Sequence, residues 1–91
     1  TAERIDELQN VYISDEPNKY QILYEEKFNQ FLISILGSPF EELRREAEQR
    51  LISDLRITTT EACSLDVVIT TPAFANPDFS GKPYKLSFCE Q

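Results

Sequence analysis

The chain has 91 residues, two cysteines, no His, Trp or Met, and a net charge of −7. That length sets a single domain, 1–91, with a modest core, and an apolar share of 41 % excludes a disordered chain. The acidic balance repels phosphate backbones, and no apolar run approaches membrane-spanning length, so neither direct nucleic-acid binding nor a membrane partner is expected.

The opening stretch, "TAERIDELQNVY", places Ile5, Leu8 and Tyr12 at helical spacing. It predicts a short amphipathic helix, with Thr1 as its cap and Glu3 and Asp6 near the positive end of the dipole. "ISDEPNK" breaks it, and Pro17 suits the first turn of a second helix, 17–36. Tyr20, Tyr24, Phe28, Phe31 and Ile35 form that helix's main stripe. Ile22 and Ile33 fall on nearly the opposite side, and "FLISIL" (Phe31–Leu36) is apolar almost all round. A helix with two apolar sides is either sandwiched within its domain or shared with a partner. The second case makes Ile22, Ile33 and Leu36 a self-association surface and the chain a homodimer.

Gly37 reads as a helix C′ residue. Ser38, Pro39 and Glu41 then read as a capping box that opens a third helix, 39–56. Phe40, Leu43, Ala47, Leu51 and Leu55 form its stripe, and Ile52 joins as the stripe drifts. Arg44, Arg45, Arg50 and Arg56 alternate with Glu42, Glu46, Glu48 and Asp54, so these charges read as a solvated face with no basic patch.

After Arg56 the composition turns to Thr, Val, Ile and aromatics. "RITTT" reads as a strand, or else Thr58 and Glu61 cap a short helix over "TEACS". "SLDVVITT" (Ser64–Thr71) reads as a strand with Leu65, Val67 and Ile69 on one face. "YKLSFCE" (Tyr84–Glu90) reads as another, with Tyr84, Leu86 and Phe88 inward. Between them Pro72–Pro83 holds three prolines and the Asn76–Pro77–Asp78 turn, which makes a stiff loop. The expected architecture is α+β: an N-terminal short helix, a long helical hairpin, then a small antiparallel sheet of two or three strands.

Chemistry-bearing patterns are sparse. With no histidine, the commonest general acid–base and metal ligand is missing. Gly37 and Gly81 lie too far apart for a phosphate cradle, and there is no CxxC. Glu25, Glu26, Glu41, Glu42 and Glu46 would face each other across the helical hairpin and hold magnesium, but Arg45 interrupts their spacing. Catalytic residues, cofactors and bound metals are therefore not expected. If both cysteines lie on strands, Cys63 and Cys89 point to opposite faces. Two free thiols in a reducing, cytoplasmic compartment follow.

The expected function is a non-enzymatic protein–protein interaction domain: a small acidic regulator, adaptor or complex subunit. Its partner-binding residues are Phe74, Phe79, Lys82 and Tyr84, unless the two Phe rings fold back as a lid on the sheet. One alternative is an acidic mimic of nucleic acid using Asp15, Glu16, Glu25, Glu26, Glu41 and Glu42. Another is a metal-dependent enzyme built on the helix-borne carboxylates.

Overall fold

The computed structural model describes the chain from Asn10 to Cys89. Three strands come first: β1 (Asn10–Glu16), β2 (Tyr20–Glu25) and β3 (Gln30–Ile35). Helix α1 (Phe40–Leu55), the short α2 (Thr59–Cys63) and β4 (Val67–Thr70) follow. The strands form one sheet in the order β1-β2-β3-β4. The first three run antiparallel, and β4 lies parallel to β3. A parallel neighbour needs a long crossover, and α1 with α2 supplies it.

This overturns the expected architecture. The first half of the expected helical hairpin is a β-hairpin, and the sheet is mixed and four-stranded rather than a small antiparallel one. The N-terminal helix does not reach its expected end, because Asn10–Tyr12 belong to β1; residues 1–9 lie outside the described residues.

The physical reason is a coincidence of periods. Tyr20 and Tyr24, like Phe31 and Ile35, are four apart, which suits one helix face and also one strand face. Read with period two, Ile22 joins Tyr20 and Tyr24, and Ile33 joins Phe31 and Ile35. Register confirms it: Tyr20 faces Ile35, Ile22 faces Ile33 and Tyr24 faces Phe31. β-Branched and aromatic side chains suit this pleated, half-buried surface. Asn18 (φ 66) and Asn29 (φ 50) take the left-handed conformation in the two turns. The second apolar side of a helix was thus the same side of two strands.

Helix α1 covers that face. Phe40, Ala47 and Leu51 pack with Tyr20, Ile22, Ile33, Ile35, Val67 and Ile69 in one buried core. The start of α1 differs from the capping box read at Ser38: Pro39 is the N-cap residue, extended at φ −74 and ψ 148, with no side-chain cap bond. The Ser38–Pro39 peptide is cis. A complete capping box forms instead at α2, where the Glu61 N–H donates to Thr58 Oγ1 (3.1 Å) and the Thr58 N–H to Glu61 Oε1 (2.8 Å). Gly37 follows a strand, not a helix. A Cβ there would collide with the Asn18 carbonyl and sit 2.9 Å from Leu43 Cδ1, so Gly37 lets the β1–β2 turn approach.

A polar set ties β1 to the far end of α1. Ser14 Oγ donates to Asp54 Oδ2. The Arg50 guanidinium reaches Glu16 (3.1 Å) and Asp54 (3.3 Å). The hydrogen bond to Glu16, followed by the Asp54 charge, raises the Arg50 pKa above its ordinary value. Burial pushes the neighbouring Tyr20 phenol upward, partly offset by Arg50, so Tyr20 stays neutral at physiological pH.

The C-terminal strand expected over Tyr84–Glu90 is also corrected. Only Tyr84 bridges to Ile69, and Ser87–Cys89 form a 3-10 turn. Cys63 ends α2 and Cys89 ends that turn, and the two form a disulfide with Cα atoms 5.6 Å apart. The parity argument for free thiols fails because neither cysteine is on a strand. The crosslink closes a separation of 26 residues. Reducing it should cost about 3 kcal/mol of stability by loop-closure entropy; urea unfolding with and without reductant reads this as a lower midpoint.

Candidate functional site

Two charged residues dismissed as solvated in the sequence organise the C-terminal third. Glu48 is 1 % exposed and Arg44 5 % exposed, both on the inner side of α1. Glu48 accepts the Ser87 backbone N–H at Oε2 and the Ser87 hydroxyl at Oε1, each at 2.6 Å. Arg44 Nε lies 3.3 Å from Glu48 Oε2, and Arg44 Nη2 donates to the Lys85 carbonyl. The guanidinium also lies 5.3 Å from the Tyr84 ring centre and 5.9 Å from that of Phe40. Ser87 engages both Glu48 oxygens and the Lys85 carbonyl engages Arg44 Nη2, which offsets part of the cost of burying the pair. The pair clamps Lys85–Ser87 onto the helix.

A second set pins the Pro72–Pro83 loop. Asn76 is buried, and its Nδ2 donates to the Gly37 carbonyl (2.7 Å) and to Thr71 Oγ1 (2.9 Å). Thr71 Oγ1 in turn donates to the Ile35 carbonyl at 2.7 Å. Phe79 stacks on Phe40 with centroids 4.6 Å apart, and Tyr84 tilts against the same ring at 5.1 Å. Burial of Asn76 and Phe40 leaves little freedom to the segment between Thr71 and Phe79.

The four expected partner-binding residues therefore separate. Phe79 and Tyr84 come together, half-buried, over Phe40, so of the two Phe rings expected either to anchor a partner or to fold back as a lid, Phe79 alone folds back. Phe74 stands apart, 82 % exposed, and Lys82 is exposed as well. The expected self-association residues are not a surface. Ile22 and Ile33 are 0 % exposed inside the chain's own core, and Leu36 is half-buried where its N–H donates to the Lys19 carbonyl. The correction follows from the strand periodicity.

The carboxylates proposed for metal or mimicry are dispersed. Glu25 ends β2 and Glu26 opens the 3-10 turn after it, while Glu41, Glu42 and Glu46 lie on α1. Glu41 pairs with Arg44 (3.7 Å), Glu46 with Lys19 (3.9 Å) and Glu16 with Arg50 (3.1 Å). Among the described residues no three acidic or thiol side chains converge to hold a metal ion, and no helix is long and apolar enough to cross a membrane. A cleft of about 240 Å³ opens beside the disulfide, lined by Leu65, Val67, Lys85 and Leu86 among others. It falls below the roughly 300–1,000 Å³ of small-molecule sites.

No protein-family model, curated protein or solved structure matches this chain.

Arg44, Glu48 and Asn76 were the residues missed by reading charge as exposure. A signal existed for the first two: both lie four apart from Phe40 in steps along the stripe that carries Ala47 and Leu51. Asn76 had no such signal, since the Gly37 carbonyl that it bonds is distant in sequence. Truncating Glu48 to Ala breaks a buried ion pair and removes the acceptor of the Ser87 N–H and hydroxyl, and should cost about 3–5 kcal/mol in chemical denaturation. Asn76→Ala should cost about 1–3 kcal/mol, and amide exchange should then accelerate across Ala73–Ser80 more than in β2 or β3.

Proposed function

We propose that this chain is a non-enzymatic protein-interaction domain that offers Phe74 as an apolar anchor to a protein partner. The observation carrying this reading is an aromatic ring left 82 % exposed on a loop whose flanks are pinned by Asn76 and Phe79. Isolated exposed apolar residues are common, but a rigidly held ring costs less entropy to bury than one on a loose loop. Filling a partner's pocket with one such ring stabilises a complex by about 1.5–3 kcal/mol. Lys82, on the same loop, adds a charge beside the anchor segment.

The homodimer expected from Ile22 and Ile33 gives way in this reading to a different protein as partner, because those side chains are consumed by the core. The compartment changes as well. A disulfide joining α2 to the C-terminal turn supports an oxidising compartment over the cytoplasm expected from free thiols.

The test compares the wild-type chain, Phe74→Ala and Phe28→Ala as baits against extract from the source cells, with captured proteins quantified by mass spectrometry. Phe28 is the other large exposed apolar residue, at 61 %. Proteins held by wild type and Phe28→Ala but lost by Phe74→Ala are the expected result. An identical set from all three baits removes Phe74 as the anchor.

A further inference from the structure

The sheet has a second face, and its composition is unlike the first. Alternation turns Leu23, Leu32 and Val68 away from α1, and the register sets them side by side: Leu23 faces Leu32, and Leu32 faces Val68. None of the three belongs to the core or packs against it. They form an apolar row across β2, β3 and β4. Asp15 on β1, Glu25 on β2 and Asp66 just before β4 share this face by the same alternation. Gln30 Nε2 donates to Asp66 at 3.4 Å across its edge. The four strands contain no lysine or arginine. All the basic residues among the described ones sit in turns, on or after α1, or in the C-terminal loop.

Two physical arguments say what fits there. An apolar stripe on a sheet is stable when another layer covers it, and among the described residues α1 packs on the Ile22–Ile33–Ile69 side of the sheet. A helix is one layer that buries such a stripe. The rim is acidic, and among the described residues Asp15, Glu25 and Asp66 form no salt bridge with one another or with α1, so a covering helix would be basic. A second copy of this face would bring like charges together. Residues 1–9 bring Glu3, Asp6 and Glu7 against Arg4 alone, so their charge also has the wrong sign.

We infer that the open face, centred on Leu23, Leu32 and Val68, docks a basic amphipathic helix of a partner protein, with the partner's apolar stripe on the row and its Lys or Arg residues over Asp15, Glu25 and Asp66. This surface lies on the opposite side of the sheet from α1 and is argued independently of Phe74.

The test titrates the intact, oxidised, isotope-labelled chain with a synthetic amphipathic helical peptide of leucine and lysine. Two controls accompany it: a scrambled peptide of the same composition and a leucine–glutamate counterpart. Amide shift changes should centre on Leu23, Leu32 and Val68. The scrambled and glutamate peptides should bind at least about tenfold more weakly, and affinity should fall as salt is raised. Leu32→Ser should weaken binding about tenfold. The double variant Glu25→Lys, Asp66→Lys, which leaves the apolar row intact, should weaken it comparably. The inference is overturned by any of four results: no binding at millimolar peptide, equal binding of the scrambled peptide, shift changes centred on α1 or the Phe74 loop, or a double variant that binds as wild type. A dimer whose interface maps to the same face would assign it to a second copy and overturn it as well.

Discussion

Three isoleucines in one row hold this fold together. Ile22, Ile33 and Ile69 face one another across β2, β3 and β4, and each is fully buried. Their row exists only if β4 comes in parallel to β3, and that arrangement requires the intervening chain to cross over the sheet. Helix α1 makes the crossing and closes the core, with Ala47 as the small residue that lets it lie close. Burying these side chains is worth about 1.5–3 kcal/mol each, a large share of the stability a domain this size can have.

The core row leaves the last part of the chain without a strand partner beyond the single bridge at Tyr84. Polar chemistry takes over there. Glu48 and Arg44 hold Lys85 and Ser87 from the helix side, and the Cys63–Cys89 disulfide fastens the end of the same segment to α2. Leu86, held between these fastenings, is only 2 % exposed. A tail that makes no ladder of its own is thereby ordered by a buried carboxylate and a crosslink. The price of that arrangement is a desolvated ion pair, which is stable only while the tail backbone stays bonded to it.

The surface is organised by the same choice of sides. Helix α1, which carries Arg44, Arg45 and Arg50, covers one face of the sheet. The strands themselves carry only acidic charge. The loop after β4 returns to the helix side, where Phe40 receives Phe79 and Tyr84 and leaves Phe74 outside. Two surfaces of different character, a single aromatic on a pinned loop and an apolar row with an acidic rim, follow from one packing decision.

Helix α1 was legible in the sequence because a stripe from Phe40 to Leu55 has no competing strand reading, and β4 because Val67 and Ile69 alternate within a short β-branched run. The capping box at Thr58 and Glu61 was legible as one of two readings, since its hydrogen bonds are local. Residues Tyr20–Ile35 were not, because aromatic and aliphatic side chains four apart satisfy helix and strand periods together, and only the pairing of β2 with β3 and β4 separates them. The disulfide, the contacts of Arg44 with Lys85 and of Glu48 with Ser87, and the bond from Asn76 to Gly37 each join residues 26 or more positions apart. The sequence alone determined which residues are apolar and where α1 runs. Only the tertiary structure decided which side each apolar residue faces and which charges are buried, because those outcomes depend on neighbours that local periodicity does not encode.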